Sequence, residues 1–184
     1  MKFFCETDRL LLQILTTNYA QQVVDFYDEN REHLEPWEIE RQKQYYTVGY
    51  HKAMLEAEYN LMVRGTMLRY YVFEKKQPHK IIGAVSAASI RYGAFSNCNI
   101  GYKIHKDYCK NGYGKEAVAC LEHVLFKECG LHRIEAMVHP KNAASIALLN
   151  GMGYDREGIA KEIVCFQGQW QDMYRYGCVR EVSG

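Results

Sequence analysis

Paired cysteine motifs are missing from this chain. Its seven cysteines (Cys5, Cys98, Cys109, Cys120, Cys129, Cys165 and Cys178) form no Cys-x-x-Cys pair, and no His/Cys cluster has zinc spacing. An odd, scattered set argues against a disulfide scaffold and against a metal site, and reads as reduced, mostly buried thiols. Long apolar runs are missing too, and none approaches the length of a membrane span. The opening Met1-Lys2-Phe3-Phe4-Cys5-Glu6-Thr7-Asp8 meets charge too early for a signal peptide. No membrane partner is expected, and the cytoplasm is the expected location. Neither sign of charge dominates: 23 Lys+Arg against 22 Asp+Glu leave a formal net charge of +1. Nucleic-acid binders usually carry a basic excess, so no direct nucleic-acid contact is expected, although one strongly basic pocket is compatible with that balance. No repeat, low-complexity run or linker interrupts the order. The 184 residues, 48% hydrophobic and 24% charged, read as one domain spanning 1–184, and the composition excludes disordered, collagen-like and coiled-coil classes.

What is present alternates between helical and strand-like periodicity. Leu10 to Ile14 reads as a first strand, and Thr16-Thr17-Asn18 as a cap before a helix with Ala20, Val23, Val24 and Tyr27 on its apolar face, running to about Arg31. Arg31 to Glu38 is a charged connector in which Trp37 either packs on the core or walls a substrate pocket. Glu40 to about Met62 reads as one mostly polar helix or a pair. Arg69–Glu74 and Ile81–Ala87 form a hairpin whose turn, Lys75 to Lys80, contains Pro78. Asn97 to His105 is the next strand, and Gly101 within it suggests a bulge or a close backbone approach. Val118, Leu121 and Leu125 mark a helix ending at Gly130. His132 to Pro140 alternates as a half-buried strand, Asn142 caps a short helix to about Asn150, and Glu157–Phe166 and Trp170–Val179 close the chain as a hairpin around Gln167-Gly168-Gln169. This order predicts an α+β fold with a central, mostly antiparallel sheet.

The stretch Lys106 to Ala117 joins a strand to a helix and carries Gly112 and Gly114. The first turn of a helix leaves N–H groups without intrahelical partners at the positive end of its dipole, so an anion fits there. The two glycines let a pyrophosphate approach the amides, and Lys110 and Lys115 add positive charge. A glycine-bearing turn before an ordinary helix would look the same.

The strand Asn99-Ile100-Gly101-Tyr102, the turn Gly112-Tyr113-Gly114-Lys115-Glu116-Ala117, the run from Arg133 to Ser145, and Gly153-Tyr154 with Glu157-Gly158 resemble the GNAT acyl-CoA N-acyltransferases. Within that superfamily, Arg31 to Glu38 and Gly168-Gln169-Trp170-Gln171-Asp172 are similar to the RimJ/RimL type, which acetylates protein N-termini. The resemblance covers nearly the whole chain. It implies a twisted sheet splayed at the acyl-CoA site, with helices on both faces, and acetyl-CoA as co-substrate. It also implies that the backbone of Cys109, Lys110, Asn111, Gly112, Tyr113, Gly114 and Lys115 wraps the pyrophosphate. Main-chain groups of Tyr102, Lys103 and Ile104 would pair with the pantetheine arm like an added strand. Asn142 would bond the same arm, Ser145 would lie near the sulfur, and Trp37 and Glu38 would face the acceptor. Cys109 stands at the first position of the family's Gln/Arg-x-x-Gly-x-Gly/Ala pattern, which removes a usual side-chain contact and leaves the amides.

The implied reaction is direct attack of a neutral amine on the thioester, with an acid returning a proton to the thiolate. Two frequent catalytic side chains are absent: Leu149 stands where many relatives keep a tyrosine acid, and Asn99 where many have a glutamate base. Ser145 is the candidate proton donor, although a helix-start serine also makes purely local bonds. Glu38, Glu162 and a bound water are candidate bases, with His132 and His139 behind them. No sequence neighbour supplies Cys109 with a paired base, so it is not expected to be a nucleophile. A free α-amine has a pKa of about 7.7–8.0 and a lysine about 10.4, so deprotonating lysine at neutral pH costs roughly 3–4 kcal/mol more. A site poor in base therefore suits the N-terminal α-amine of a protein, a ribosomal protein in the RimJ/RimL type. Acetylation of a small amine (polyamine, amino acid or antibiotic) and a non-catalytic acyl-CoA-binding module are the alternatives, and a homodimer is left open.

Overall fold

In β3 (Leu68–Glu74) almost every residue is buried, because the strand is covered on both faces. Leu68, Tyr70 and Val72 point into one core, and the alternate Tyr71 and Phe73 into another. That single strand shows the architecture, which a computed structural model describes for residues 2–180. In chain order the elements are β1 (Phe4–Glu6), β2 (Leu10–Gln13), α1 (Ala20–Glu29), α2 (Arg31–Leu34), α3 (Val48–Val63), β3, β4 (Gln77–Arg91), β5 (Asn97–Ile104), α4 (Tyr113–His123), β6 (Arg133–Val138), α5 (Ala143–Gly151), β7 (Asp155–Phe166) and β8 (Gln169–Val179). The strands form one sheet ordered β1-β2-β3-β4-β5-β6-β8-β7, antiparallel throughout except for the β5–β6 pair. On one face α4 and α5 cover Leu10, Val85, Ile100 and Ile134 with Val118, Leu121 and Leu149. On the other, α1 and α3 cover Tyr71, Phe73 and Ala84 with Val23, Phe26, Tyr27 and Leu55. Helices lie on both faces, as the family resemblance implies.

Several boundaries differ from the sequence reading, each for a local reason. β1 pairs with β2 from Phe4↔Gln13 to Glu6↔Leu11, an edge strand too short to show a period. The cap segment Thr16-Thr17-Asn18 makes no side-chain cap; a 3₁₀ turn, Thr17–Tyr19, leads into α1 instead. The polar stretch after Glu40 begins with a 3₁₀ turn, Lys43–Tyr46, and the helix proper starts at Val48, where Thr47 Oγ1 accepts the Tyr50 N–H at 3.3 Å. Pro78 lies inside β4 rather than in the turn, at the point where the β3–β4 register shifts and the ladder needs no donor. Gly101 pairs regularly with Ser86, so the expected bulge is not there. It lies in β4 between Ala88 and Arg91, where Ser89 has φ 52°. The close approach belongs to Gly83, whose Cβ would stand 2.7 Å from the Lys103 carbonyl oxygen. Of the seven free cysteines only Cys98 is fully buried; the rest are half-buried. Among the described residues no helix is long and apolar enough to cross a membrane.

The site follows from one irregularity in the sheet. β5 and β6 pair at only three positions, Asn97↔Arg133, Cys98↔Ile134 and Asn99↔Glu135, and then diverge. From Ile100 onward the backbone groups that β5 turns toward β6 have no strand partner, and a wedge opens between the two strands.

Candidate active site

The wedge is part of a cavity of about 830 Å³. Ile100 to Ile104 form one wall and Ala136 to His139 the other, with the start of α4 at one end and Asn142, Ala144 and Ser145 of the α5 start beside it. Both faces of the sheet contribute, so the cavity passes through the sheet plane.

At the α4 end the turn is built as the two glycines suggested. Gly112 is the N-cap in the left-handed region, φ 80°, and the first intrahelical bond runs from the Glu116 N–H to the Gly112 carbonyl at 3.1 Å. The N–H groups before Glu116 have no carbonyl four residues back to bond, and they face the end of the wedge. Gly114 admits α5 closely: a Cβ there would meet Leu148 Cδ1 at 3.0 Å. The loop is clamped from far away in sequence. Arg9 donates to the Asn111 carbonyl at 3.0 Å and to Glu116 at 2.7 Å, its guanidinium lies 4.5 Å above the Tyr113 ring, and Thr7 also bonds Glu116.

Cys109, Lys110, Gly112, Gly114 and Lys115 line the cavity as expected, while Asn111 and Tyr113 do not. The Asn111 carbonyl is taken by Arg9 and the Tyr113 phenol donates to Glu74 at 2.6 Å, which leaves their N–H groups and the exposed Asn111 side chain. The Lys115 ammonium donates to the Gly151 carbonyl at 2.8 Å and ties α4 to the end of α5. Cys109 does have an imidazole beside it, His33 Nε2 at 3.6 Å, which the sequence did not suggest. Burial nevertheless pushes the thiol up, away from a thiolate nucleophile.

At the α5 end, Asn142 Oδ1 accepts the Ser145 N–H at 3.1 Å, which leaves the Asn142 amide N–H₂ and the Ser145 hydroxyl to face the cavity. The Tyr102 phenol donates to the Ser145 carbonyl at 3.3 Å, and burial raises it to about 12, so it stays protonated at neutral pH. Leu149 is fully buried in the core beneath α5 and outside the cavity wall.

The opposite face of the sheet carries the acceptor-side candidates. Trp37 lies in the cavity wall, 5.9 Å from the His139 ring, and is not packed in the core. Glu38 pairs with Lys103 and Arg41. Alternation along β5 puts the Tyr102 side chain toward α5 and the Lys103 side chain toward α1, where its ammonium lies 5.1 Å from the Tyr27 ring. Burial, with Arg69 and Arg41 nearby, lowers Lys103 to about 8. Lys103 was expected only as donor-side main chain; its side chain belongs to the other half of the cavity. Arg69, paired with Glu58, lies in the same wall. Glu162 is not brought to the site: it sits exposed in a β7 irregularity, φ 45°, with its N–H on Asp172. His132 and Asn99 also fall outside the wall, while His139 is in it.

Residues 9–155 match the family described as the acetyltransferase (GNAT) domain. The chain belongs to the GNAT acetyltransferases. It is 30% identical over 167 residues to the ribosomal protein uS5-alanine N-acetyltransferase of Escherichia coli, covering 90% of this chain and 85% of that one. The crystal structure of the ribosomal-protein-S5-alanine acetyltransferase from Vibrio fischeri superposes with a TM-score of 0.91 at 28% identity over 97% of each chain. RimJ of Mycobacterium smegmatis, in complex with CoA-disulfide, shares the fold at TM-score 0.86 and 24% identity, over 92% of this chain and 81% of that one.

For a GNAT enzyme the arrangement has a direct chemical reading. A wedge with unpaired strand edge on one side and helix-start amides at its end fits a long, partly anionic donor, and the other face of the sheet leaves a separate approach for an amine. The residues that sequence reasoning missed are those whose partners are remote: Arg9 and Thr7 on the loop, His33 beside Cys109, Arg69 with Glu58. Only the Lys103 side chain had a legible signal, since period-2 alternation puts it opposite Tyr102.

Proposed function

We propose that this GNAT enzyme transfers an acetyl group from acetyl-CoA to the N-terminal α-amine of a protein, a ribosomal protein as in the relatives' names. One observation carries the acceptor choice. Among the described residues Glu38 is the one carboxylate in the cavity wall, and it is engaged by Lys103 and Arg41. A wall that also holds Arg69 and Lys110 disfavours polyamines, which bring several positive charges. It also gives little help in removing a proton from a lysine, whereas an α-amine with a pKa of about 7.7–8.0 is partly neutral near pH 7.

In this reading the pyrophosphate rests on the amides at the α4 start, and the pantetheine arm runs along Tyr102, Lys103 and Ile104. The thioester then reaches Asn142 and Ser145. The acceptor enters past Trp37 and Glu38 and loses one proton to solvent, since Glu38 is held by Lys103 and Arg41. Its nitrogen attacks the carbonyl carbon, the new C–N bond forms, and the oxyanion collapses with cleavage of C–S. The second amine proton is relayed through the Ser145 hydroxyl to the departing sulfur as the amide forms, so that the thiol leaves neutral and Ser145 keeps its proton. Acetyl-CoA and ribosomal acceptors meet in the cytoplasm, which is the compartment this reading requires.

Thiol release with two peptides tests the proposal. A lysine-free peptide with a free N-terminus should support steady release of CoA, and an N-terminally blocked peptide carrying lysine should not. Release with the blocked peptide alone, or only with a polyamine, would overturn the acceptor assignment. No release of CoA with an amine of any class would favour a non-catalytic acyl-CoA-binding module.

A further inference from the structure

Among the described residues Lys110 is the one cationic side chain of the loop that lines the end of the wedge without a partner; Cys109 and Lys115 are engaged elsewhere. The Cys109 thiol lies 3.5 Å from the His105 carbonyl oxygen and 3.9 Å from that of Ile104, and burial keeps it neutral. Lys115 is committed to Gly151. Beside the thiol, at the rim of the same cavity, stands the imidazole of His33, its Nε2 3.6 Å from Cys109 Sγ. A thiol–imidazole contact of that length is weak and easily exchanged for a better acceptor.

His33 is not at that position by accident of a mobile side chain on a loose turn. The junction of α1 and α2 is fastened to the entry of the loop by Asn30, which is fully buried. Its side chain donates to the Phe26 carbonyl at 2.7 Å and accepts the Lys106 N–H at 2.8 Å. Its carbonyl accepts the His33 and Leu34 N–H groups at 3.1 and 2.9 Å. One residue earlier, Glu29 meets His105 at 3.0 Å, and one turn later Leu34 is buried. The backbone carrying His33 therefore moves with the backbone that precedes Cys109.

We propose that His33 supplies the side-chain hydrogen bond to the phosphates of CoA that Cys109 cannot give. An imidazole N–H is a donor to phosphate oxygen, and α2 holds it over the loop's first residue. The contact crosses from a helix packed on one face of the sheet to a loop that starts a helix on the other. This deepens the donor-site reading and rests on it.

Titration calorimetry with CoA tests the inference without any acceptor. His33→Ala should weaken CoA roughly tenfold, the size of one hydrogen bond to a charged group discounted for solvent access. Its thermal unfolding should stay at the wild-type temperature. Adding Cys109→Arg to that variant should restore most of the affinity, because the guanidinium returns a donor to the same spot. Wild-type affinity in His33→Ala would overturn the inference alone, as would a loss that Cys109→Arg fails to recover. Failure of the unaltered protein to bind CoA would overturn the donor assignment together with it.

Discussion

Leu149 occupies the position where the sequence resemblance places a tyrosine acid, and its side chain is fully buried under α5. A tyrosine there would be forced into a filled core rather than offered to a substrate. Leu149→Tyr should therefore cost about 1–3 kcal/mol by overpacking and leave kcat no higher, as denaturant unfolding and steady-state kinetics can check. Ser145 is the contrasting case. Its N–H is used by the Asn142 cap, but its hydroxyl is free. Ser145→Ala should lower kcat by about a hundredfold, the low end of what a positioned proton donor supplies, with the KM for acetyl-CoA and the stability nearly unchanged. Asn142→Ala should instead cost about 1 kcal/mol through the lost cap. The sequence marked Asn142 as a cap and the glycines as a turn because those features are local, and Ser145 through the family resemblance. It named both Glu38 and Glu162 as candidate bases, and only the fold shows that Glu162 is on an exposed hairpin and Glu38 in the wall.

The elements were legible where one periodicity ran unbroken, as in α1, β3 and the β7–β8 hairpin; the helix read as running to Gly130 ends as α4 at His123 and continues as a π-helical turn, Val124–Glu128. Boundaries moved where long-range packing outweighed local preference, as at Pro78, or where a strand was too short to show a period, as in β1. The phosphate loop shows the same division. Its turn was readable from Gly112 and Gly114, while its clamp was not, because Arg9 and Glu116 lie over a hundred positions apart in sequence. Arg9→Ala should loosen the loop and raise the Kd for CoA several-fold without changing the acceptor KM, measurable by calorimetry and initial rates.

The α1–α3 layer carries a pH signature of its own. His51 is fully buried, stacked on Tyr27 with 5.4 Å between ring centres, and neither ring nitrogen has a hydrogen-bond partner. Burial, with the Arg41 charge, lowers its pKa from 6.5 to about 4. The unfolded chain takes up a proton on this residue below about 6.5 and the folded chain only near 4. The stability it contributes is thus complete above pH 6.5 and is lost as pH falls through that window. His51→Phe should flatten the fall in unfolding free energy between pH 6.5 and 4; an unchanged slope would place the titration elsewhere.

For the molecule as a whole, the functional statement rests on a sheet that fails to close. β5 and β6 run together for three residues and then part, and the candidate groups that come together do so around that wedge: helix-start amides at one end, Asn142 and Ser145 along one side, Trp37, Glu38 and Lys103 on the far face. The wall is poor in free carboxylate, which is the physical ground for an α-amine acceptor. The most direct test is tandem mass spectrometry of a peptide that begins with alanine and carries an internal lysine, after incubation with acetyl-CoA and the enzyme. The account predicts a single acetyl group on the α-amine of the first residue; an acetyl group on the lysine side chain with the α-amine left free would contradict it.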